Sequence, residues 1–173
     1  MSIIIVEGCD LSGKSYAIER IGKHFNSGIT LKNNFKPKSI SHSALLFAQY
    51  WKIINFITSY DSPDSKSIII LDRFYLSQQV YSFLRGREDM QHKEIFAIEK
   101  YCKEQEFKLI YLDTPLKTLQ SRYDIRGDEH VSKDLLAKLK SRYDDAFNIS
   151  ILDKMKLDTT KEDWLKDVEE FIK

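Results

Sequence analysis

Near the start of the chain, Glu7-Gly8-Cys9-Asp10-Leu11-Ser12-Gly13-Lys14-Ser15 carries the spacing G-x-x-x-x-G-K-S. An apolar run, residues 2–6, precedes it, and a helical pattern of Tyr16, Ala17, Ile18, Ile21 and Phe25 follows. Glycines at 8 and 13 let the backbone curl so that successive N–H groups point inward, and the following helix adds its positive end. The Lys14 ammonium is a point charge for β- and γ-phosphates, and the Ser15 hydroxyl can ligate Mg²⁺. Residues 8–16 (Gly8, Cys9, Asp10, Leu11, Ser12, Gly13, Lys14, Ser15 and Tyr16) therefore read as a binding loop for a nucleoside triphosphate, with ATP as donor.

Two further groups match that chemistry. Asp72 ends the apolar run 67–71, a position from which a second carboxylate reaches Mg²⁺ directly or through water, although aspartate is also a common helix N-cap. Arg73 follows it and suits an anionic target. Arg122 and Arg126 are four residues apart, on one face if a helix reaches that far, and Gly127 can hinge the segment. Guanidinium groups match the charge that spreads over oxygens in phosphoryl transfer, so this pair reads as a catalytic lid. Interleaved acids leave a solvated charged helix as the other reading.

The elements that must position these groups alternate along the chain. Strands are expected at 2–6, 29–31, 67–71, 107–112 and 155–158. Helices are expected at 14–25, 44–58 and 76–84, around Ile95–Ile98–Cys102, after Thr114-Pro115, from Ser132 onward and at the C-terminus. Thr114 reads as an N-cap with Pro115 in the first turn, and Thr159 with Glu162 as a capping box for the last helix. Strand–helix alternation from end to end implies a doubly wound α/β sheet, read as a single domain over residues 1–173.

Composition bounds the rest. The 173 residues are 42% hydrophobic and 31% charged with net charge +1, so the molecule as a whole has no pull toward nucleic acid or anionic membrane. No apolar run approaches the roughly 20 residues of a membrane span, and residues 3–6 are too short for a signal peptide. Cys9 and Cys102 show neither disulfide nor zinc spacing, and His24, His42, His92 and His130 form no ligand pattern. The chain reads as cytoplasmic.

Taken together, these motifs make the chain resemble the thymidylate kinases, in the P-loop nucleoside monophosphate kinase group. Glu7-Gly8-x-Asp10 with Gly13-Lys14-Ser15 is similar to the family's phosphate loop, and Asp72-Arg73-Phe74-x-Leu76-Ser77-x-Gln79-x-Tyr81 to its Asp-Arg-aromatic segment. Leu112-Asp113-x-Pro115 leading to Arg122 resembles a further element, and Arg126-Gly127-Asp128-Glu129 the lid. The resemblance implies a three-layer P-loop NTPase fold: a five-stranded parallel sheet flanked by helices, with a short helical lid at about 122–131. It implies transfer of the ATP γ-phosphoryl to dTMP, giving dTDP, with Mg²⁺ as cofactor, nucleotides as partners and a homodimer as the assembly. By position it gives Lys14, Asp10, Arg73, Arg122 and Arg126 catalytic roles and Ser15 and Asp72 the metal. Acceptor contacts fall to Asp10, Lys36, Phe47, Arg73, Ser77, Gln78 and Tyr81, with Phe47 stacking on the base, Gln78 at its edge and Tyr81 near C2′.

Departures from the family pattern matter. The phosphate loop has Leu11 and Ser12 where some members have an arginine, so the transition-state cation falls to the lid. Lys36, in Phe35-Lys36-Pro37-Lys38-Ser39, stands where an arginine is usual at the acceptor phosphate. Gln49-Tyr50-Trp51 occupies the place of an arginine that reads thymine, which points to relaxed base selection. A deoxynucleoside kinase is the nearest alternative, but it needs a base for a 5′-hydroxyl, and Lys36-Pro37 puts a cation there. A P-loop NTPase driving a partner is a second alternative, against which stand the small size, the lack of a guanine motif and the arginine pair. A third is an inactive relative kept as a binding module, disfavoured by intact Lys14, Ser15, Asp72 and Arg73.

Overall fold

A computed structural model describes residues 2–25, 29–32, 43–60, 67–84, 90–128 and 131–173. Five strands, β1 (Ser2–Glu7), β2 (Ile29–Lys32), β3 (Ile68–Asp72), β4 (Lys108–Leu112) and β5 (Asp153–Leu157), form one sheet in the order β2-β3-β1-β4-β5. Every pairing is parallel. Parallel neighbours need crossovers, and these carry α1 (Lys14–His24), α2 (Ser43–Thr58), α3 (Tyr75–Leu84), α4 (His92–Glu104), α5 (Leu116–Arg126) and α6 (Leu136–Ile149), before α7 (Trp164–Ile172) closes the chain. This is the doubly wound sheet and five-strand, three-layer arrangement expected from the sequence.

The period-2 alternation of the central strands divides the core. Ile4 and Val6 of β1, Ile68 and Ile70 of β3, and Ile110 and Leu112 of β4 pack with Ala17, Ile18 and Ile21 of α1 and Trp164 and Val168 of α7. Ile3, Ile5, Ile69, Leu71, Leu109 and Tyr111 face the other way, onto α2 through α6. Each fully buried isoleucine contributes about 1.5–3 kcal/mol, so the uninterrupted apolar strands commit both faces at once.

Register then sets the site. Val6 lies opposite Asp72 and Glu7 opposite Tyr111, so the phosphate loop leaves β1 level with the end of β3. In such sheets ligands bind beyond the carboxyl ends, where the order reverses between β1 and its neighbours.

Two expected helix starts are corrected. Pro115 is itself the N-cap residue of α5, which begins at Leu116, and Thr114 donates its hydroxyl to the Ser12 carbonyl at 3.0 Å instead of capping the helix. Thr159 and Glu162 form no capping box, because α7 begins at Trp164 after Asp163. Asp158 Oδ1 instead accepts from the Thr160 N–H at 3.0 Å and hydroxyl at 2.6 Å, a local turn that competes with the helix. Residues from Ser132 first form a 3-10 turn, Lys133–Leu135, before α6 begins.

Candidate active site

The loop between β1 and α1 takes the form its glycines permit. A side chain at Gly8 would put its Cβ 2.8 Å from Ser12 Oγ and 3.2 Å from Leu112 Cβ, so only glycine fits that curl. Gly13 adopts φ 87°, in the left-handed region that glycine enters at little cost, just before α1. Leu11 also has positive φ, 66°, a strain characteristic of binding loops. The Ser12 hydroxyl is buried without a hydrogen-bond partner. Tyr16 is half exposed and its ring lies 6.4 Å from that of Trp164, so its side chain turns to α7 and away from the loop.

Lys14 is buried and its ammonium pairs with the Asp72 carboxylate across the β1–β3 junction. Burial, with the Arg73 charge added, lowers the Lys14 pKa below the usual ammonium range, while Asp72 works in the opposite direction. The Asp72 carboxylate thus holds Lys14 over the loop. The exposed Ser15 hydroxyl and the Asp72 carboxylate are hard oxygen donors. Among the described residues no group of three or more His, Cys, Asp or Glu side chains forms a metal cage. One or two protein oxygens completed by phosphates and water is what Mg²⁺ takes, so the donor set fits that ion.

Arg73 is the hub of the opposite side. Its backbone sits at φ 68° and its N–H donates to the Val6 carbonyl at 3.1 Å, which turns the side chain back under the phosphate loop. Nη1 donates to the Gly8 carbonyl at 3.2 Å, to Ser77 Oγ at 3.1 Å and to the Tyr143 hydroxyl at 2.6 Å. Nη2 pairs with Asp10 Oδ1 at 2.6 Å, and Asp10 Oδ2 accepts from the Tyr81 hydroxyl. The guanidinium also lies over the Tyr81 ring, 5.2 Å from its centroid. Asp10, Arg73, Ser77 and Tyr81, all expected from the sequence, are thus brought together beside Gly8.

Behind them stands Glu7, fully buried at the end of β1. Its carboxylate accepts from the N–H groups of Phe74 at 2.7 Å and Ser77 at 3.2 Å and from the Ser77 hydroxyl at 2.5 Å, satisfying the first turn of α3. Burial raises its pKa above the ordinary carboxylate value, against the pull of Ser77 and Arg73. Neither Glu7 nor Tyr143 was identified as part of the site from sequence. A lone carboxylate ending an all-apolar strand was a usable signal for Glu7. Tyr143 gave none, since on the apolar stripe of α6 it reads only as core.

Of the two arginines expected in a lid, α5 carries both on one face, but only Arg122 reaches the loop. Its Nη1 donates to the Leu11 carbonyl at 2.7 Å and lies 3.4 Å from where a Gly13 Cβ would stand. Arg126 is exposed in the last turn, with Gly127 following at φ 64°. Phe47 is half-buried on α2, edge-on to Trp51 at 6.0 Å, and Trp51 in turn meets Tyr101 at 5.0 Å. Gln78 Nε2 donates to Ser82 Oγ at 2.5 Å. Cys9 is buried in the loop, its thiol pushed up to about 12 by burial. Lys36 and lid residues Glu129 and His130 lie outside the described residues. No helix among the described residues is long and apolar enough to cross a membrane.

No family model matches the chain, and no curated protein matches it in sequence. Solved structures do match. One is the YorR protein of Bacillus subtilis in complex with phosphorylated GDP, with TM-score 0.78 and 22% identity, covering 99% of this chain and 95% of that one. Thymidylate kinase from Candida albicans aligns with TM-score 0.64 and 17% identity, over 99% and 90% of the two chains. A deoxyadenosine kinase from M. mycoides with bound dATP gives 0.60 and 17%, over 97% of each chain. At these identities the likeness establishes the fold alone, the three-layer P-loop NTPase fold.

Proposed function

We propose that this chain is a nucleoside monophosphate kinase that transfers the γ-phosphoryl group of ATP to dTMP, giving dTDP. The observation that carries the reading is the placement of Arg73, which is fixed at the mouth of the phosphate loop by Gly8, Asp10, Ser77 and Tyr143. A cation built into that position suits an acceptor that is itself an anion. The carboxylates beside it are committed: Asp10 to Arg73 and Tyr81, and Asp72 to Lys14 until the donor phosphates take that ammonium and leave Asp72 for the metal. A phosphate acceptor is already ionised and needs no base, whereas a nucleoside 5′-hydroxyl does.

In this reading the loop N–H groups and Lys14 hold the donor phosphates, with Lys14 exchanging Asp72 for phosphate oxygen. Ser15 and Asp72 would hold Mg²⁺, which would supply neutralisation of the donor phosphate charge. Arg73 keeps donors on Nη2 and Nε for the acceptor phosphate. Arg122 lies over the loop, where it meets the charge developing on the transferred group, and Arg126 approaches when the lid closes about Gly127. Asp10 and Tyr81 face the acceptor sugar, while Phe47 and Gln78 face its base. Thymine as the preferred base rests on the sequence resemblance, with Lys36 as a second cation at the acceptor phosphate.

The test is ADP formation from Mg-ATP with dTMP, dUMP, dGMP, dCMP, thymidine or no acceptor. Turnover with dTMP and none with thymidine is expected. Turnover with several nucleotides means that the Gln49-Tyr50-Trp51 substitution has loosened base choice. Turnover with thymidine alone would replace this reading with the deoxynucleoside kinase alternative, and turnover independent of acceptor with the NTPase alternative.

A further inference from the structure

With Glu7 ionised, the form that burial opposes and that its donors Ser77 and Phe74 and the Arg73 charge favour, the hydrogen bonds behind Arg73 have one direction. Ionised Glu7 can only accept, so the single Ser77 hydroxyl proton goes to Glu7 Oε2 at 2.5 Å. Ser77 Oγ must then accept across its 2.8 Å contact with the Tyr143 hydroxyl, which makes Tyr143 the donor there. The Tyr143 oxygen is left to accept from Arg73 Nη1 at 2.6 Å. Every proton in the chain Arg73–Tyr143–Ser77–Glu7 therefore points toward Glu7.

The chain is also dry and braced. Glu7 and Tyr143 have no exposed surface and Ser77 is 7% exposed, so water does not replace a missing member. The Tyr143 ring is fixed by the Tyr111 ring stacked on it at 6.0 Å and 15°, and by Tyr81 at 6.3 Å. Tyr143 also comes from α6, an element that otherwise contributes nothing to the Arg73 cluster. The remaining contacts of the guanidinium come from the phosphate loop, from Ser77 of α3 and from Tyr81.

From this geometry we propose that Tyr143 is a positioning residue for Arg73: its hydroxyl fixes the rotation of the guanidinium so that the Nε and Nη2 edge faces the acceptor phosphate. The proposal rests on the acceptor role given to Arg73 above. Removing the hydroxyl leaves Arg73 charged and paired with Asp10, with only the longer Nη1 contacts to Gly8 at 3.2 Å and Ser77 at 3.1 Å to resist turning about that pair. Acceptor binding then suffers and donor binding does not.

The experiment uses Tyr143→Phe, which keeps the ring and its stack, alongside Tyr111→Phe, which removes a hydroxyl from the adjoining ring, and Arg73→Lys. In wild type, nitrogen NMR of Arg73 should show separate Nη signals from hindered rotation, and in Tyr143→Phe these should merge. Acceptor KM should rise roughly 10- to 100-fold, the loss of one hydrogen bond to a charged group, with the KM for ATP unchanged. Tyr111→Phe should leave both constants unchanged. Adding Tyr143→Phe to Arg73→Lys should cost nothing further in acceptor use, because the two act as one unit. Unaltered Arg73 signals in Tyr143→Phe would overturn the proposal, as would equal rises in both KM values or additive losses in the double variant. If wild type uses no nucleotide acceptor, the functional reading fails separately, and the NMR comparison alone decides whether Tyr143 orients Arg73.

Discussion

The two arginines closest to the phosphate loop are held in opposite ways. Arg73 donates to four protein acceptors, three of them uncharged, in a cluster closed from behind by buried Glu7. Among the described residues, Arg122 donates to a single backbone carbonyl, that of Leu11, from a helix whose last turn is exposed. Lys14 belongs with Arg122, since its partner Asp72 is one that a phosphate can displace. Under the proposed function, the acceptor side is organised before any ligand arrives, while the donor-side cations rest on placeholders. Preorganisation saves ordering cost at binding, and exchangeable contacts let the lid respond to the nucleotide it covers.

That contrast can be broken in four places, from largest effect to smallest. Lys14→Ala should reduce turnover by several orders of magnitude, as measured by ADP formation at saturating ATP and dTMP. Ordinary turnover in the folded variant would remove the phosphate loop from the mechanism. Arg73→Ala should lower kcat/KM for the acceptor by roughly 100-fold or more, since several charge-assisted hydrogen bonds are lost. Steady-state kinetics with the acceptor varied would expose an error here as unchanged acceptor constants.

Third, Arg122→Ala should lower kcat by about tenfold or more with little change in acceptor KM, and Arg126→Ala should have a smaller effect. The reverse ranking would mean that the exposed arginine is the one that closes on the transferred group. Fourth, Glu7→Gln sharpens the account of the buried cluster through its pH dependence. Burial raises the Glu7 pKa above its ordinary 4.5, so folding favours the protonated form. That contribution to stability is full below pH 4.5 and is lost as pH rises through the raised value. Glutamine does not titrate, so the melting temperature of Glu7→Gln relative to wild type should become more favourable from pH 4.5 to pH 8. A difference that stays constant over that range would show that Glu7 titrates as it does in the unfolded chain.

Much of this architecture was legible in the sequence because each layer repeats one signal. The runs in β1 and β3 are apolar at every position, as strands buried on both faces must be, and they end at Glu7 and Asp72, where the chain turns to the site. The phosphate loop was legible for a related reason: Gly8 and Gly13 stand where a side chain would collide or adopt an unfavourable φ. Helix starts were less legible, because Thr114 and Thr159 are good caps in isolation, and a tertiary partner in one case and a competing local turn in the other decided otherwise. Thr114 turned to Ser12, and Asp158 captured Thr160. Tyr143 was invisible for a deeper reason. A tyrosine on an apolar helix face has the same sequence signature whether or not its hydroxyl finds an arginine just after β3, 70 positions away.

The most direct measurement of the central claim is transfer of label from γ-labelled ATP to dTMP and, separately, to thymidine, with products resolved chromatographically. The account predicts labelled dTDP from dTMP and no labelled dTMP from thymidine. Labelled dTMP from thymidine, with none passing to dTMP supplied as acceptor, would contradict it and make Arg73 the partner of a neutral acceptor.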